Sequence, residues 1–268
     1  MTMKHLYFVF HKDDLLLERL DDGTFTVPFS EEPPIRPSQG TEIMPVTLSA
    51  NETAMVYDTG SSSTDNPSLE FCGLRSSFYK LPYDLYLKAG KCKELLYWNL
   101  NTRYCGRCGG PMKMSTDISK KCEHCGREIW PQLATAVIVL IRRDDSILLV
   151  HAKNFRGNFF GLVAGFVETG ETLEEAVHRE VIEETGLKIK NVRYFGSQPW
   201  PYPCGLMVGF TADYESGDIT LQQAELSAGG WFSKDNLPVI PEKLSIARKL
   251  IDAWIDGQDK PVNTPSVP

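Results

Sequence analysis

Apolar positions come in short, broken runs over the first hundred residues and in longer, regular ones after about residue 130. The early segments, 6–10, 15–17 and 54–57, are separated by the turn-rich stretches 31–37 and 60–67. That spacing predicts a small β-rich domain over 1–101, with a helix around 83–99. Residues 102–131 form a compact Cys- and Gly-rich unit. Beyond it the pattern predicts strands at 134–141 and 146–150, joined by the polar turn Arg142-Arg143-Asp144-Asp145. A Gly-rich loop at 157–165 leads into a helix, Leu173–Thr185; strands at 187–195 and 206–214 and a last helix at 244–255 follow. Strands interleaved with helices define an α/β domain over 132–256. The polar, three-proline stretch 257–268 reads as a disordered tail.

The helix Leu173–Thr185 carries the strongest chemical signal. Thr172 and Glu175 form a capping box, and Gly186 is placed as a C-cap. At about 100° per residue, Leu173, Val177, Glu180 and Glu184 fall on one stripe, with Ala176 and Glu183 along its side. The inward face therefore starts apolar and ends in carboxylates. Glu180 and Glu184 are like charges at i,i+4 and repel, and burial raises the cost unless a cation compensates it. A divalent, oxygen-seeking cation such as Mg²⁺ answers both objections. A plainly solvated acidic face produces the same run of glutamates.

Charge and cysteine usage narrow the picture. The 268 residues, enough for about two domains, carry 28 Lys+Arg against 35 Asp+Glu, a net charge of -7. Such an acidic chain is not expected to hold nucleic acid through bulk electrostatics. Arg103, Arg107, Lys113, Lys120, Lys121 and Arg127 make a local basic patch, or simply a solvated surface. The N-terminal apolar run is too short for a signal peptide, no cleavage site follows, and the apolar stretch 133–141 is far below the ~20 residues of a membrane span. A cytoplasmic location without membrane contact is expected. Of seven cysteines, Cys105 and Cys108 pair with Cys122 and Cys125 as two C-x-x-C knuckles, 13 residues apart and each followed by Gly. Four thiolates so spaced make a closed, structural zinc site; two redox pairs or a free-thiol cluster is the alternative. Cys72, Cys92 and Cys204 read as small buried hydrophobes, and His124 as a surface residue.

A second signal lies at Ser197-Gln198-Pro199-Trp200-Pro201-Tyr202-Pro203-Cys204-Gly205. Prolines at every second position stiffen the loop and present Trp200 and Tyr202, whose faces suit stacking with a purine or nicotinamide ring. Packing against a core or a neighbouring subunit fits the same residues.

Gly165, five residues, Glu171, seven residues, Arg179-Glu180-Val181-Ile182-Glu183-Glu184, one residue, and Gly186-Leu187 together match the Nudix box in full. The chain thus resembles the Nudix hydrolases, which cleave nucleoside diphosphates linked to another moiety. The resemblance implies a Nudix α/β/α sandwich with an N-terminal β-rich domain and an intervening zinc ribbon. It implies that Glu180, Glu183 and Glu184 hold catalytic Mg²⁺ or Mn²⁺ with the Ala164 carbonyl, that Arg179 orients the carboxylates and that Glu171 supports the loop.

Ribbon, box and the Pro-Trp-Pro loop together resemble the NADH pyrophosphatase family, whose members also remove NAD caps from RNA 5′ ends. This second resemblance implies Glu225 as a further metal carboxylate. Phe166 and Trp200 would stack on nicotinamide, with Trp200 of the partner subunit completing the site in a homodimer. The loop residues Gln198, Pro199, Pro201, Tyr202, Pro203, Cys204 and Gly205 are implied as substrate contacts. So are Ala247 through its backbone, Arg75, Asp117 where the family has Glu, and Trp130 where it has Tyr. Tyr202 stands for the usual Phe and Gly205 for a final Ser. The implied reaction splits NAD(H) into nicotinamide mononucleotide and AMP, with one structural zinc per subunit. NAD-capped RNA is the alternative substrate. A non-enzymatic ligand sensor or nucleic-acid-binding module on the same scaffold is expected to have lost box carboxylates, and all are present.

Overall fold

A computed structural model describes residues 4–155 and 157–258. They fall into two compact units, one of residues 4–132 with 201–204, the other of 133–155 and 157–200 with 205–258. The tail expected over 257–268 lies outside the described residues from 259 onward.

In the first unit the strand His5–His11 pairs antiparallel with Asp14–Arg19 and parallel with Glu52–Asp58, at the centre of a seven-stranded sheet. Both of its faces are buried. Phe8 and Phe10 join Leu15, Leu17 and Val56 under the helix Tyr83–Asn101, while Tyr7 and Val9 pack with Leu16 and Tyr57 on the other side. That is why the segment reads as a continuous apolar run instead of an alternating one. The ribbon belongs to this unit as a three-stranded antiparallel sheet, Met112–Thr116, Ser119–Cys122 and Glu128–Ile129.

The second unit is built on a six-stranded sheet in the order Lys188–Trp200, Gly205–Ser216, Ala134–Arg143, Ser146–Ala152, Leu226–Ser233, with Val163–Phe166 paired antiparallel to Ala134–Arg143. Ala134–Arg143 runs parallel to Gly205–Ser216. Its residues alternate between two cores. Val137, Val139 and Ile141 meet Val177 and Val181 of the helix Leu173–Thr185, while Ile138 and Leu140 meet Leu250, Ile251 and Trp254 of the helix Ile246–Ile255. Helix, sheet and helix form the expected α/β/α sandwich.

Three local expectations need correction. The Gly-rich loop expected over 157–165 contains the strand Val163–Phe166, whose Ala164 and Gly165 pair with Ile138 and Val137. The last helix starts at Ile246, because the Ser245 hydroxyl caps it by accepting from the Arg248 N–H at 3.3 Å. Cys204 is only half-buried, since it lies at the tip of the Lys188–Trp200 and Gly205–Ser216 hairpin; Cys72 and Cys92 are buried as expected.

Glu94, on the helix Tyr83–Asn101, is an ionisable group in an unfavourable place. Its Oε1 is buried without a hydrogen-bond partner among the described residues, and burial pushes its carboxyl up to about 7 from an ordinary 4.5. The unfolded chain therefore ionises here first, so stability falls as pH rises from about 4.5 to about 7 and stays lowered above that window. Glu94→Gln should raise the melting temperature at pH 8, by an effect on the order of 2 kcal/mol, and leave it unchanged near pH 4.5. An equal gain at both pH values, in thermal melts followed by circular dichroism, would contradict the buried charge.

Candidate active site and metal centres

The four knuckle cysteines converge. Cys105 and Cys125 sulfurs are 3.7 Å apart and those of Cys108 and Cys122 3.5 Å apart, and all four ligand atoms lie within 4.8 Å of one another. Each knuckle closes through the glycine behind it: Gly109 donates to the Cys105 carbonyl at 2.8 Å and Gly126 to the Cys122 carbonyl at 3.0 Å, both with φ of 71°. The backbone N–H groups of Arg107 and Cys108 hold the Cys105 thiol down to about 6, which favours the thiolate a metal requires. An all-sulfur, four-ligand set suits structural zinc. His124 stays exposed.

On the box helix the expected caps are both present. The Thr172 hydroxyl accepts from the Glu175 N–H at 3.2 Å, Glu175 Oε2 accepts from the Thr172 N–H at 2.8 Å, and Gly186 ends the helix in the left-handed region. The caps fix which residues face the sheet. Glu180 and Glu184 do, at 9% and 5% exposure, while Glu183 faces out. Gly165 is what lets Glu180 approach: a Cβ on it would lie 1.9 Å from the Glu180 carboxyl carbon.

Arg179 ties these parts together. Its Nε donates to Glu171 Oε1 at 2.5 Å, and Nη2 to Glu171 Oε2 and the Phe166 carbonyl, each at 2.9 Å. Nη1 reaches Glu180 at 2.8 Å and Glu183 at 3.1 Å. Glu171 also accepts from the Glu168 N–H at 2.9 Å; with Arg179 as the main cause, its carboxyl is held down to about 2.

Glu184 lacks such compensation. Its carboxylate makes no hydrogen bond with the described residues, and burial, reinforced by Glu180, Glu225 and Glu183, pushes it up to about 8. Glu184 lines a cleft of about 280 Å³ with Ala164 and Glu225, the positions that the resemblance marks as metal ligands. Lys153, Asn154 and Phe155, which the sequence reading passed over, line it too. An all-oxygen donor set of the buried Glu184, the exposed Glu225 and the Ala164 carbonyl fits a hard divalent cation such as Mg²⁺ or Mn²⁺. The carboxylates do not meet at one point: among the described residues, the cysteines alone form a group of three or more potential ligands within 4.8 Å. Arg179 holds Glu180 and Glu183, while Glu184 and Glu225 share the cleft.

A larger depression of about 630 Å³ lies at the turn 142–145, lined by Arg142, Lys234 and Trp254 among others. It is open, and Arg142 is already paired with Asp213 at 3.2 Å. The smaller cleft holds the carboxylates and is the chemically relevant one.

The remaining expected contacts are spread over both units. Phe166 is 66% exposed, and Ala247 sits in the first turn of the helix Ile246–Ile255. Gln198 is buried, its Nε2 donating to the Leu244 carbonyl at 2.8 Å. Pro199 is exposed and Trp200 half-buried. Gly205 is crowded, since a Cβ there would stand 3.0 Å from the Trp200 carbonyl oxygen. Pro201, Tyr202, Pro203 and Cys204 belong to the first unit, where the Tyr202 hydroxyl lies 3.0 Å from that of Tyr86 and its ring packs on the apolar core. Arg75, on the short helix Leu74–Ser77, is also in this unit, as are Trp130, 54% exposed, and Asp117, which accepts from Thr47 at 2.6 Å.

Comparison with known proteins bears on the same three segments. Residues 131–254 match the NUDIX domain, 100–129 the NADH pyrophosphatase zinc ribbon domain, and 4–98 the NADH pyrophosphatase-like rudimentary NUDIX domain. The NAD-capped RNA hydrolase NudC of Shigella dysenteriae serotype 1 is 48% identical over 173 residues, covering 64% of this chain and 67% of that protein. Its namesake in Klebsiella pneumoniae is 47% identical over 169 residues, covering 63% and 66%. A solved NUDIX hydrolase from Nitrosomonas europaea, 19% identical, superposes with a TM-score of 0.51 over 59% of this chain and 92% of its own, and shares the fold. Domain matches, box and relatives agree, and the chain belongs to the Nudix hydrolases, in the NADH pyrophosphatase family.

Proposed function

We propose that this chain hydrolyses the diphosphate bond of NAD(H), giving nicotinamide mononucleotide and AMP, with Mg²⁺ or Mn²⁺ as catalytic metal and a homodimer as the active assembly. The observation that carries this reading is a complete box whose buried Glu184 faces a cleft shared with Ala164 and Glu225. Glu180, Glu183, Glu184, Glu225 and the Ala164 carbonyl are the oxygen donors that would hold the metal. When bound, such a metal neutralises charge on phosphoryl oxygens and makes a water nucleophilic near neutral pH. Arg179 fixes the side chains of Glu180 and Glu183 by bonding both, and is itself held by Glu171 and the Phe166 carbonyl. Glu183 or Glu184 would assist as base by taking a proton from the attacking water. The exposed face of Phe166 is free to stack on the nicotinamide ring.

The same chemistry extends to RNA carrying a 5′ NAD cap. Relatives named for that activity support this reading, as does the basic bias of Arg103, Arg107, Lys113 and Lys121 on the ribbon, all exposed.

Glu184→Gln keeps the shape and removes the charge. It should lower kcat for NADH in Mg²⁺ on the order of 100-fold or more, and retention within a few-fold would overturn the assignment. Comparing kcat/KM for NADH, NAD⁺ and NAD-capped RNA in one assay ranks the substrates. The zinc reading has its own test. Elemental analysis should find one zinc per chain, and Cys108→Ser should abolish it and lower the melting temperature, since structural zinc contributes folding energy directly. Purified protein free of zinc and indifferent to chelators would refute it.

A further inference from the structure

The cleft beside Glu184 has an aromatic wall that nothing in the metal chemistry requires. Phe155 lines the cleft, and its ring stacks on Phe159, with centroids 4.4 Å apart and planes at 15°. Both rings are half-buried. His151 braces Phe155 edge-on at 6.0 Å and is itself fixed at both nitrogens, to Ser227 Oγ at 2.8 Å and the Gly157 carbonyl at 3.1 Å. Room for the ring comes from Gly161, where a Cβ would stand 3.1 Å from Phe155 Cε2 and Cζ. The loop is closed by paired backbone bonds between Val150 and Gly161, at 2.9 and 2.8 Å, and tied to the carboxylate side of the cleft by the Lys153 N–H donating to the Glu225 carbonyl at 2.8 Å.

An apolar ring lining the same cleft as the buried Glu184 carboxylate raises the cost of its charge, so packing alone gives no reason for it. A flat, uncharged heterocycle attached to a diphosphate gives one: its phosphates would meet the carboxylate side through the divalent cation held there, and its ring meets the apolar wall. A cleft of about 280 Å³ takes one such ring system, at the lower end of ligand pockets. NAD(H) has two rings. Phe166, the residue proposed above to stack on nicotinamide, is absent from this lining, which leaves the purine. Resting on the function proposed above, we infer that Phe155, backed by Phe159 and seated over Gly161, is the contact surface for the adenine ring of the substrate.

AMP and nicotinamide mononucleotide, each carrying one of the two rings, separate the possibilities. In the full-length protein with MgCl₂, Phe155→Ala should weaken AMP binding about tenfold, within the range for a lost base–aromatic stack. Both titration calorimetry and the inhibition constant against NADH hydrolysis should register this. Affinity for nicotinamide mononucleotide should stay within about twofold. Gly161→Thr, which displaces the ring without removing it, should act in the same direction, and Phe155→Tyr should retain wild-type affinity. Melting curves identify a variant that has lost its fold, in which case Gly161→Thr carries the test. Unchanged AMP affinity in Phe155→Ala, or a loss confined to nicotinamide mononucleotide, overturns the inference. If the wild-type protein does not hydrolyse NADH, the proposed function fails, whereas the calorimetric contrast still decides the purine contact.

Discussion

A guanidinium enclosed by carboxylates sets the geometry on which the second unit depends. Arg179 uses Nε, Nη1 and Nη2 to bind Glu171, Glu180, Glu183 and the Phe166 carbonyl. Two helix carboxylates and one loop carboxylate would otherwise repel one another across a few ångströms. A lysine, with one point charge, has no planar fork to span loop, strand and helix together. Gly165 belongs to the same constraint, because only a residue without a side chain lets Glu180 lie against its strand. Capping box, left-handed Gly186 and the apolar stripe of Val177 and Val181 then hold the helix in the rotation that this cluster demands.

The ribbon solves a different problem. Its buried cluster amounts to Cys105, Met112 and Cys122 with Ile129 beside them, far too little apolar surface to stabilise a fold of about thirty residues. Four converging thiolates supply through a metal what the core does not. The catalytic sandwich has no such need, for Ala134–Arg143 alone has six consecutive buried residues, five of them in its two cores.

Elements with local signals were legible in the sequence. The helix Leu173–Thr185 is read to the residue because its caps are short-range chemistry, and the cysteine knuckles because ligand spacing is. Val163–Phe166 was hidden: Val-Ala-Gly-Phe has no strand signature, and only its pairing with residues 136–139 makes it one. Leu226–Ser233 was missed for the same reason, with Ala228, Gly229 and Gly230 at its centre and its register set by Ser146–Ala152. Within the site, the box carboxylates could be placed from periodicity. Phe155 could not, because neither its seat over Gly161 nor its stack on Phe159 leaves a repeat in the sequence. For Tyr202 the sequence allows either a presented aromatic or a residue packed on a core, and the second holds: its ring packs on the apolar core and its hydroxyl meets Tyr86, more than a hundred positions earlier.

That last contact bears on how the chain is made. The first unit is discontinuous: residues 4–132 are joined by 201–204, and Tyr202 packs on its apolar core. During synthesis the N-terminal segment emerges complete in its strands and helices but lacks this piece until some seventy more residues have followed. The buried residues of its core, Phe8 to Trp98, all precede the box helix along the message, and the Tyr202 contact at the edge of that core is added only after the box helix has been made.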